Sequence, residues 1–212
     1  EAKKGTSLRL TIDRDIQWVA SQAISEAVQK SHAASGTVIV MDPKTGAILA
    51  HATAPTFDPN NTKSVSLTQM RNPAVQDAYE PGSTGKIMTI AAAIEEKKIT
   101  PNTVLTVPYA LRRSDKTFHD HEKHATQRLT TTGILAVSSN TGSIQIGEML
   151  DKNTLRTYLT KFGVGEKTGS GLPGEQAGKI LPVDQWSGTT APTVAFGQGY
   201  SVTAMQATSI FA

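Results

Sequence analysis

Ser83 and Lys86 are the residues of this 212-residue chain whose types and spacing could do chemistry. They stand in the run Glu80-Pro81-Gly82-Ser83-Thr84-Gly85-Lys86, ahead of Ile87 to Glu96, a stretch of helix formers with no Gly or Pro. Pro81 and Gly82 mark the break before it. The spacing therefore predicts Ser83 in the first helical turn and Lys86 three residues on, along the same face. A serine hydroxyl is a poor nucleophile until a neighbouring base takes its proton. A lysine can be that base once burial and the positive end of a helix lower its pKa from about 10.4. The Ser83 N–H would be among the first helical amides, which lack intrahelical partners, and could donate to an oxyanion. Ser-x-x-Lys also occurs by chance in many helices, so the pair needs support. Gly85-Lys86 reads like the end of a phosphate-binding loop as well. Such a loop needs Gly at position 80 and Ser or Thr at 87, where this chain has Glu80 and Ile87.

Support comes from Ser138-Ser139-Asn140, 55 residues downstream of Ser83, at a break between two helical runs. Two serines and an asparagine at such a junction are also ordinary capping chemistry. The surrounding segments settle the preference. Asn72-Pro73-Ala74, Glu80-Pro81-Gly82-Ser83-Thr84, Ser138-Ser139-Asn140 and Phe196-Gly197-Gln198-Gly199 together resemble the transpeptidase domain of class B penicillin-binding proteins. So do Leu8-Thr11-Ile12-Asp13, Met41-Asp42-Pro43 and Leu172-Pro173-Gly174-Glu175, in the family's order, from about Leu8 to the last residue.

The resemblance implies an α+β fold of the penicillin-binding and serine β-lactamase type, an antiparallel sheet flanked by helices. It implies a peptidoglycan D,D-transpeptidase in which Ser83 is the nucleophile and Lys86 its base. Ser138 would relay the proton to the leaving amine, with Lys86 and Asn140 holding it in place. Asn140, Gly197 and Gln198 would contact substrate beside Ser83. No cofactor and no metal is needed. The expected partners are a stem peptide ending in D-Ala-D-Ala, β-lactam antibiotics, and other cell-wall synthesis or division proteins. The expected location is the bacterial cell membrane, with the catalytic domain outside the cytoplasm. A β-lactamase would need a deacylating base, for which no motif is recognisable. A β-lactam-sensing or non-catalytic scaffold domain is the alternative from another class.

Lys167-Thr168-Gly169 spells the family's third motif, but Ser170-Gly171-Leu172-Pro173-Gly174 follows it, and such a run cannot be a central strand. In the family the true motif follows the Phe-Gly-Gln-Gly segment, and this chain stops 13 residues after Gly199. Residues 1–212 are therefore expected to be the N-terminal and central part of one transpeptidase domain. The pedestal domain, the membrane anchor and the final strands would lie outside it. The C-terminal remainder, on the same or a second chain, is a further expected partner, and the fragment alone is expected to catalyse poorly.

Composition narrows the field independently. A net charge of +3 and a pI near 9.1 come without any Lys/Arg block, since Lys3-Lys4, Lys97-Lys98 and Arg112-Arg113 are only doublets, so no nucleic acid is implied. The chain has no Cys, which rules out disulfides and thiolate chemistry. His119, His121 and His124 have metal-ligand spacing, but they lie in a polar stretch, residues 112–128, read as a solvated loop beside the cleft.

The elements that must position these residues follow from periodicity and punctuation. Leu8–Ile12 alternates and predicts a strand. Asp13 caps a helix over residues 14–29 with Ile16, Val19, Ala20, Ala23, Ile24 and Ala27 as its apolar face. Two strands, 36–41 and 47–52, are joined at Asp42–Gly46 by a hairpin turn. Residues 101–107 are extended. Helices are expected at 131–137, 141–150 and 153–162, with the last burying Leu155, Tyr158, Leu159 and Phe162. Residues 163–178 are too rich in Gly to be regular. Thr203 starts a final helix with Ala204, Ala207, Ile210 and Phe211 as its apolar side.

Overall fold

A computed structural model describes residues 3, 5–63 and 65–212; Lys4, half of the Lys3-Lys4 doublet, lies outside them. In chain order the elements are α1 (Arg14–Ser31), β1 (Gly36–Met41), β2 (Ile48–Ala54), α2 (Pro73–Gln76) and β3 (Ala78–Tyr79). A 3₁₀ turn (Gly82–Gly85) then runs into α3 (Lys86–Glu95). Next come β4 (Val104–Val107), β5 (Ala110–Arg113), β6 (Lys116–His119), β7 (Gln127–Thr130), α4 (Thr131–Ala136), α5 (Asn140–Gly147) and α6 (Lys152–Lys161). The chain finishes with β8 (Lys179–Ile180), a 3₁₀ turn (Val183–Gln185), α7 (Thr190–Ala195), β9 (Tyr200–Thr203) and α8 (Ala204–Ser209). The class is α+β, with every strand pair antiparallel: β1–β2, β3–β9–β8, β4–β7 and β5–β6.

The first layer is the hairpin with α1 on it. Asp42 and Gly46 close the turn, with Gly46 at φ 70° and its N–H on Asp42 O at 2.9 Å. Asp13 caps α1 as expected, accepting from the Asp15 and Ile16 amides at 3.0 Å. The buried face of α1 is not the expected one. Ala20 and Ile24 turn inward with Gln17, Ser21 and Val28, while Ile16, Val19, Ala23 and Ala27 are exposed. The reason is polar. Gln17 reads the β2 backbone at His51 with both ends of its amide, accepting from N–H at 2.8 Å and donating to C=O at 3.0 Å. Those two bonds fix the helix rotation. Gly36 lets Ile24 and Val28 close on β1, since a Cβ there would lie 2.5 Å from Ile24 Cδ1.

Leu8–Ile12 forms no strand; Leu8 and Leu10 are exposed, and Thr11 Oγ1, bonded to Ile48 O at 2.6 Å, with the Asp13 N–H on Leu49 O at 2.8 Å, ties the segment to β2. Residues 112–128 are not a plain loop. β5 and β6 form a hairpin that buries Phe118 against Ile144 and Phe196, and β7 pairs with β4. One buried aromatic among charged residues is too faint a pattern to read as a hairpin.

The main core surrounds α3, whose Met88, Ile90, Ala92 and Ala93 are buried with Ile134, Ile146, Leu155, Leu159 and Val202. α6 buries Leu155 and Leu159 as expected, with Tyr158 and Phe162 partly covered. α8 keeps part of its expected apolar side, with Ala207 and Ile210 packed on the main core, but Met205 and Gln206 are its buried residues and Phe211 is exposed. Gln206 side-chain N–H groups reach Gly163 O, Glu166 O and Ala177 O at 2.7–2.9 Å, and its Oε1 accepts from the Thr203 amide. A buried glutamine thus satisfies the carbonyls of the irregular Gly-rich segment.

Candidate active site

Ser83 lies in the 3₁₀ turn and Lys86 opens α3, so the two side chains leave one continuous helical edge. Gly82 at φ 58° makes the sharp entry that Pro81 cannot make alone. A second segment holds this entry from behind. The Gly82 N–H donates to Gly197 O at 2.8 Å, and Glu80 Oε1 accepts from the Gly199 amide at 2.8 Å. Gly197 touches Gly82 so closely that no side chain fits between them.

Lys86 is fully buried, although it is a lysine. Its Nζ donates to Ser83 Oγ at 3.2 Å, to Ser138 Oγ at 3.0 Å and to the Ser138 carbonyl, so all three ammonium donors have acceptors. Burial pushes its pKa down to about 8, against an opposing pull from the charge of Asp120. At neutral pH about one Lys86 in ten is then unprotonated. The lowering was expected from sequence; its main cause is desolvation.

Ser138-Ser139-Asn140 sits at the junction of α4 and α5, as its residue types indicated. The junction divides its labour. Ser139 is a buried helix cap, accepting from the Gly142 amide at 2.9 Å, while Ser138 faces Lys86. Ser138 reaches that position at φ 55°, a conformation rare for a residue with a side chain. Asn140 Nδ2 donates to His119 O at 2.9 Å, and among the described residues its Oδ1 has no hydrogen bond. Lys86 therefore holds Ser138 directly, and Asn140 does not.

A cavity of about 870 Å³ opens over these groups, lined by Ser83, Ser138, Asn140 and the segment His119–His124. Its wall contains a residue that sequence reasoning missed. Asp120 is buried and receives hydrogen bonds from Ser139 Oγ at 2.7 Å, the Thr141 amide at 2.9 Å and His124 Nε2 at 3.0 Å. Those bonds hold its carboxyl below the usual range despite burial. The sequence shows only an acid among the histidines of residues 119–124, with nothing to single it out. The histidines do not converge as ligands. His119 stacks on Tyr109, His124 pairs with Asp120, and among the described residues no three His, Asp or Glu side chains could hold a metal ion.

Of the remaining candidates, Gly197 backs the nucleophile turn, and Gln198 is exposed on the bend after it; neither lines the cavity. Lys167-Thr168-Gly169 lies in an irregular segment away from it, with Thr168 bonded to Glu175. A serine, a desolvated lysine and a second serine in one chain of hydrogen bonds can activate a hydroxyl for acyl transfer.

Residues 36–212 match the family described as the penicillin binding protein transpeptidase domain. Penicillin-binding protein PbpB of Mycobacterium tuberculosis is 39% identical over 212 residues, which are 100% of this chain and 31% of that protein. Peptidoglycan D,D-transpeptidase FtsI of Escherichia coli is 32% identical over 213 residues, 100% of this chain and 36% of that protein. The crystal structure of penicillin binding protein 3 from Mycobacterium tuberculosis, complexed with aztreonam, superposes with a TM-score of 0.90 at 40% identity. It covers 94% of this chain and 45% of that one. The chain spans about a third of the length of the curated relatives it matches.

Proposed function

The chain belongs to the penicillin-binding protein transpeptidase domain family, and from that premise we propose that it carries the acyl-transfer centre of a peptidoglycan D,D-transpeptidase. The observation that carries this reading is the buried Lys86 Nζ placed between Ser83 Oγ and Ser138 Oγ. Unprotonated Lys86 takes the Ser83 proton as Ser83 Oγ bonds to the carbonyl carbon of a D-Ala-D-Ala peptide bond. The Ser83 N–H, in a first turn where amides have no intrahelical partner, stabilises the oxyanion. The proton passes through Ser138 to the leaving amine, the C–N bond breaks, and D-Ala departs from the acyl-enzyme. An amine from a neighbouring stem peptide then attacks, returning Ser83 Oγ its proton. Asn140 Oδ1 accepts from the substrate amide. β-Lactams enter the first step, but their leaving amine stays tethered in the opened ring, so Ser83 remains blocked.

This reading places the catalytic domain outside the cytoplasmic membrane, in the bacterial envelope, working beside other cell-wall synthesis or division proteins. Among the described residues no helix is long and apolar enough to cross a membrane. Intact-mass spectrometry before and after benzylpenicillin, on this chain together with the rest of the transpeptidase domain, tests the proposal. One covalent adduct, lost in Ser83→Ala, is expected, together with release of D-Ala from a stem-peptide substrate. Acylation without turnover of that substrate would instead identify a sensor, and no adduct would leave a scaffold.

A further inference from the structure

The turn that carries Ser138 and Asn140 has local caps, with Ser139 Oγ accepting from the Gly142 amide at 2.9 Å, and long-range support besides. Ser138 holds a positive φ of 55°, which persists only where the surroundings impose it. Lys86 holds Ser138 itself, and the residues that follow it, Ser139 and Thr141, are held by one carboxylate. Asp120 Oδ1 accepts from the Thr141 amide at 2.9 Å, and Oδ2 accepts from Ser139 Oγ at 2.7 Å, with Thr141 Oγ1 at 3.4 Å. Its own N–H is fixed to Tyr109 O at 3.1 Å, so the carboxylate is held from the backbone side as well. His124 braces it from solvent. One ring nitrogen of His124 faces Asp120 Oδ2 at 3.0 Å and the other faces Ala125 O at 2.7 Å. Both partners only accept, so the doubly protonated ring satisfies both, and the Ala125 carbonyl and the Asp120 carboxylate raise the His124 pKa toward that form.

Resting on the acyl-transfer reading above, we propose that Asp120 is a positioning residue for that reaction. Its carboxylate locks the Ser139–Thr141 turn so that Ser138 and Asn140 face Ser83, and its negative charge works against the desolvation of Lys86. The second half has a direction. Burial lowers the Lys86 pKa to about 8, and the Asp120 charge opposes that lowering. Without the charge Lys86 loses its proton at lower pH. The other ionisable groups around the cavity are His119, His121, Glu122, Lys123 and His124.

The test is the acylation rate with a fluorescent penicillin from about pH 5 to about pH 9, in the full chain, beside thermal unfolding. Asp120→Asn should slow the plateau rate about tenfold or more, the scale on which slight misplacement of catalytic groups is felt. It should also move the acidic limb of the profile to lower pH. Ser139→Ala and His124→Gln both keep the Asp120 carboxylate and should slow acylation by roughly fivefold; Ser139→Ala, which leaves His124 in place as well, should not move the limb. A merely structural role for Asp120 would lower the rate without moving the limb. Asp120→Asn within about twofold of wild type, with an unmoved limb, overturns the proposal. If Asp120→Asn does not fold, the other two variants decide, and normal acylation in both overturns it. A wild-type protein carrying the whole transpeptidase domain that forms no adduct overturns the acyl-transfer reading itself, a result distinct from any difference among the variants.

Discussion

Replacing Gly197 by alanine should disable the nucleophile turn without touching any polar side chain of the site. Gly197 has φ 93°, and a Cβ there would lie 1.7 Å from Gly82 O and 2.6 Å from Gly82 C. The backbone would have to move by roughly an ångström to relieve the overlap, and Gly82 immediately precedes Ser83. A side chain at positive φ costs about 1–2 kcal/mol. Loss of the 2.8 Å Gly82–Gly197 bond adds about 1 kcal/mol. With residual overlap the total reaches about 3–5 kcal/mol, or roughly 6–20 °C in Tm for a domain of this size. Gly199→Ala is the matched control. It has φ 75°, but the nearest atom to its added Cβ is 3.5 Å away, so only the conformational term applies. It should lose about 2–8 °C. Differential scanning fluorimetry with penicillin acylation separates the two. Gly197→Ala should acylate about a hundredfold more slowly, as an ångström-scale displacement of a nucleophile does, and Gly199→Ala should stay within a few-fold. Equal Tm losses in the two variants, or normal acylation in Gly197→Ala, would refute the claim that Gly197 sets the Ser83 turn.

Lys86→Met should abolish acylation and change the pH dependence of stability. The folded-state pKa of Lys86, about 8, lies below its unfolded value of 10.5. Between those values the unfolded chain holds a proton the native chain has released, so wild-type stability rises with pH through that window. Thermal melts across the window should show this rise in the wild type and less of it in Lys86→Met; parallel curves would place the Lys86 pKa near its ordinary value. Tyr200→Phe removes a buried hydroxyl that has no partner among the described residues. It should raise stability by about 1 kcal/mol, and a Tm loss would reveal a partner for that hydroxyl. Gln206→Leu leaves Gly163 O, Glu166 O and Ala177 O without their shared donor and should cost about 3 kcal/mol by urea unfolding. A loss below about 1 kcal/mol would mean that solvent replaces those bonds.

The parts of this protein that sequence alone determined are those built from neighbours in the chain. Asp13 and Thr203 cap helices, Asp42 and Gly46 close a hairpin, and Ser83 stands one turn before Lys86, because each depends on residues within about four positions. The Ser138-Ser139-Asn140 junction was equally legible, since capping residues between two helical runs mark a break. Tertiary structure decided everything that depends on who lies opposite. The rotation of α1 was set by Gln17 bonding His51, 34 residues away, against the ranking of its own apolar residues. The short strands β3, β8 and β9 carry too few residues for a period to show, and only pairing defines them. In the site, Lys86 meets Ser138 across 52 positions, Ser139 meets Asp120 across 19, and Glu80 meets the Gly199 amide across 119. Burial is a property of the assembled chain, so the sequence could name the lysine, but only the packing around it could lower its pKa.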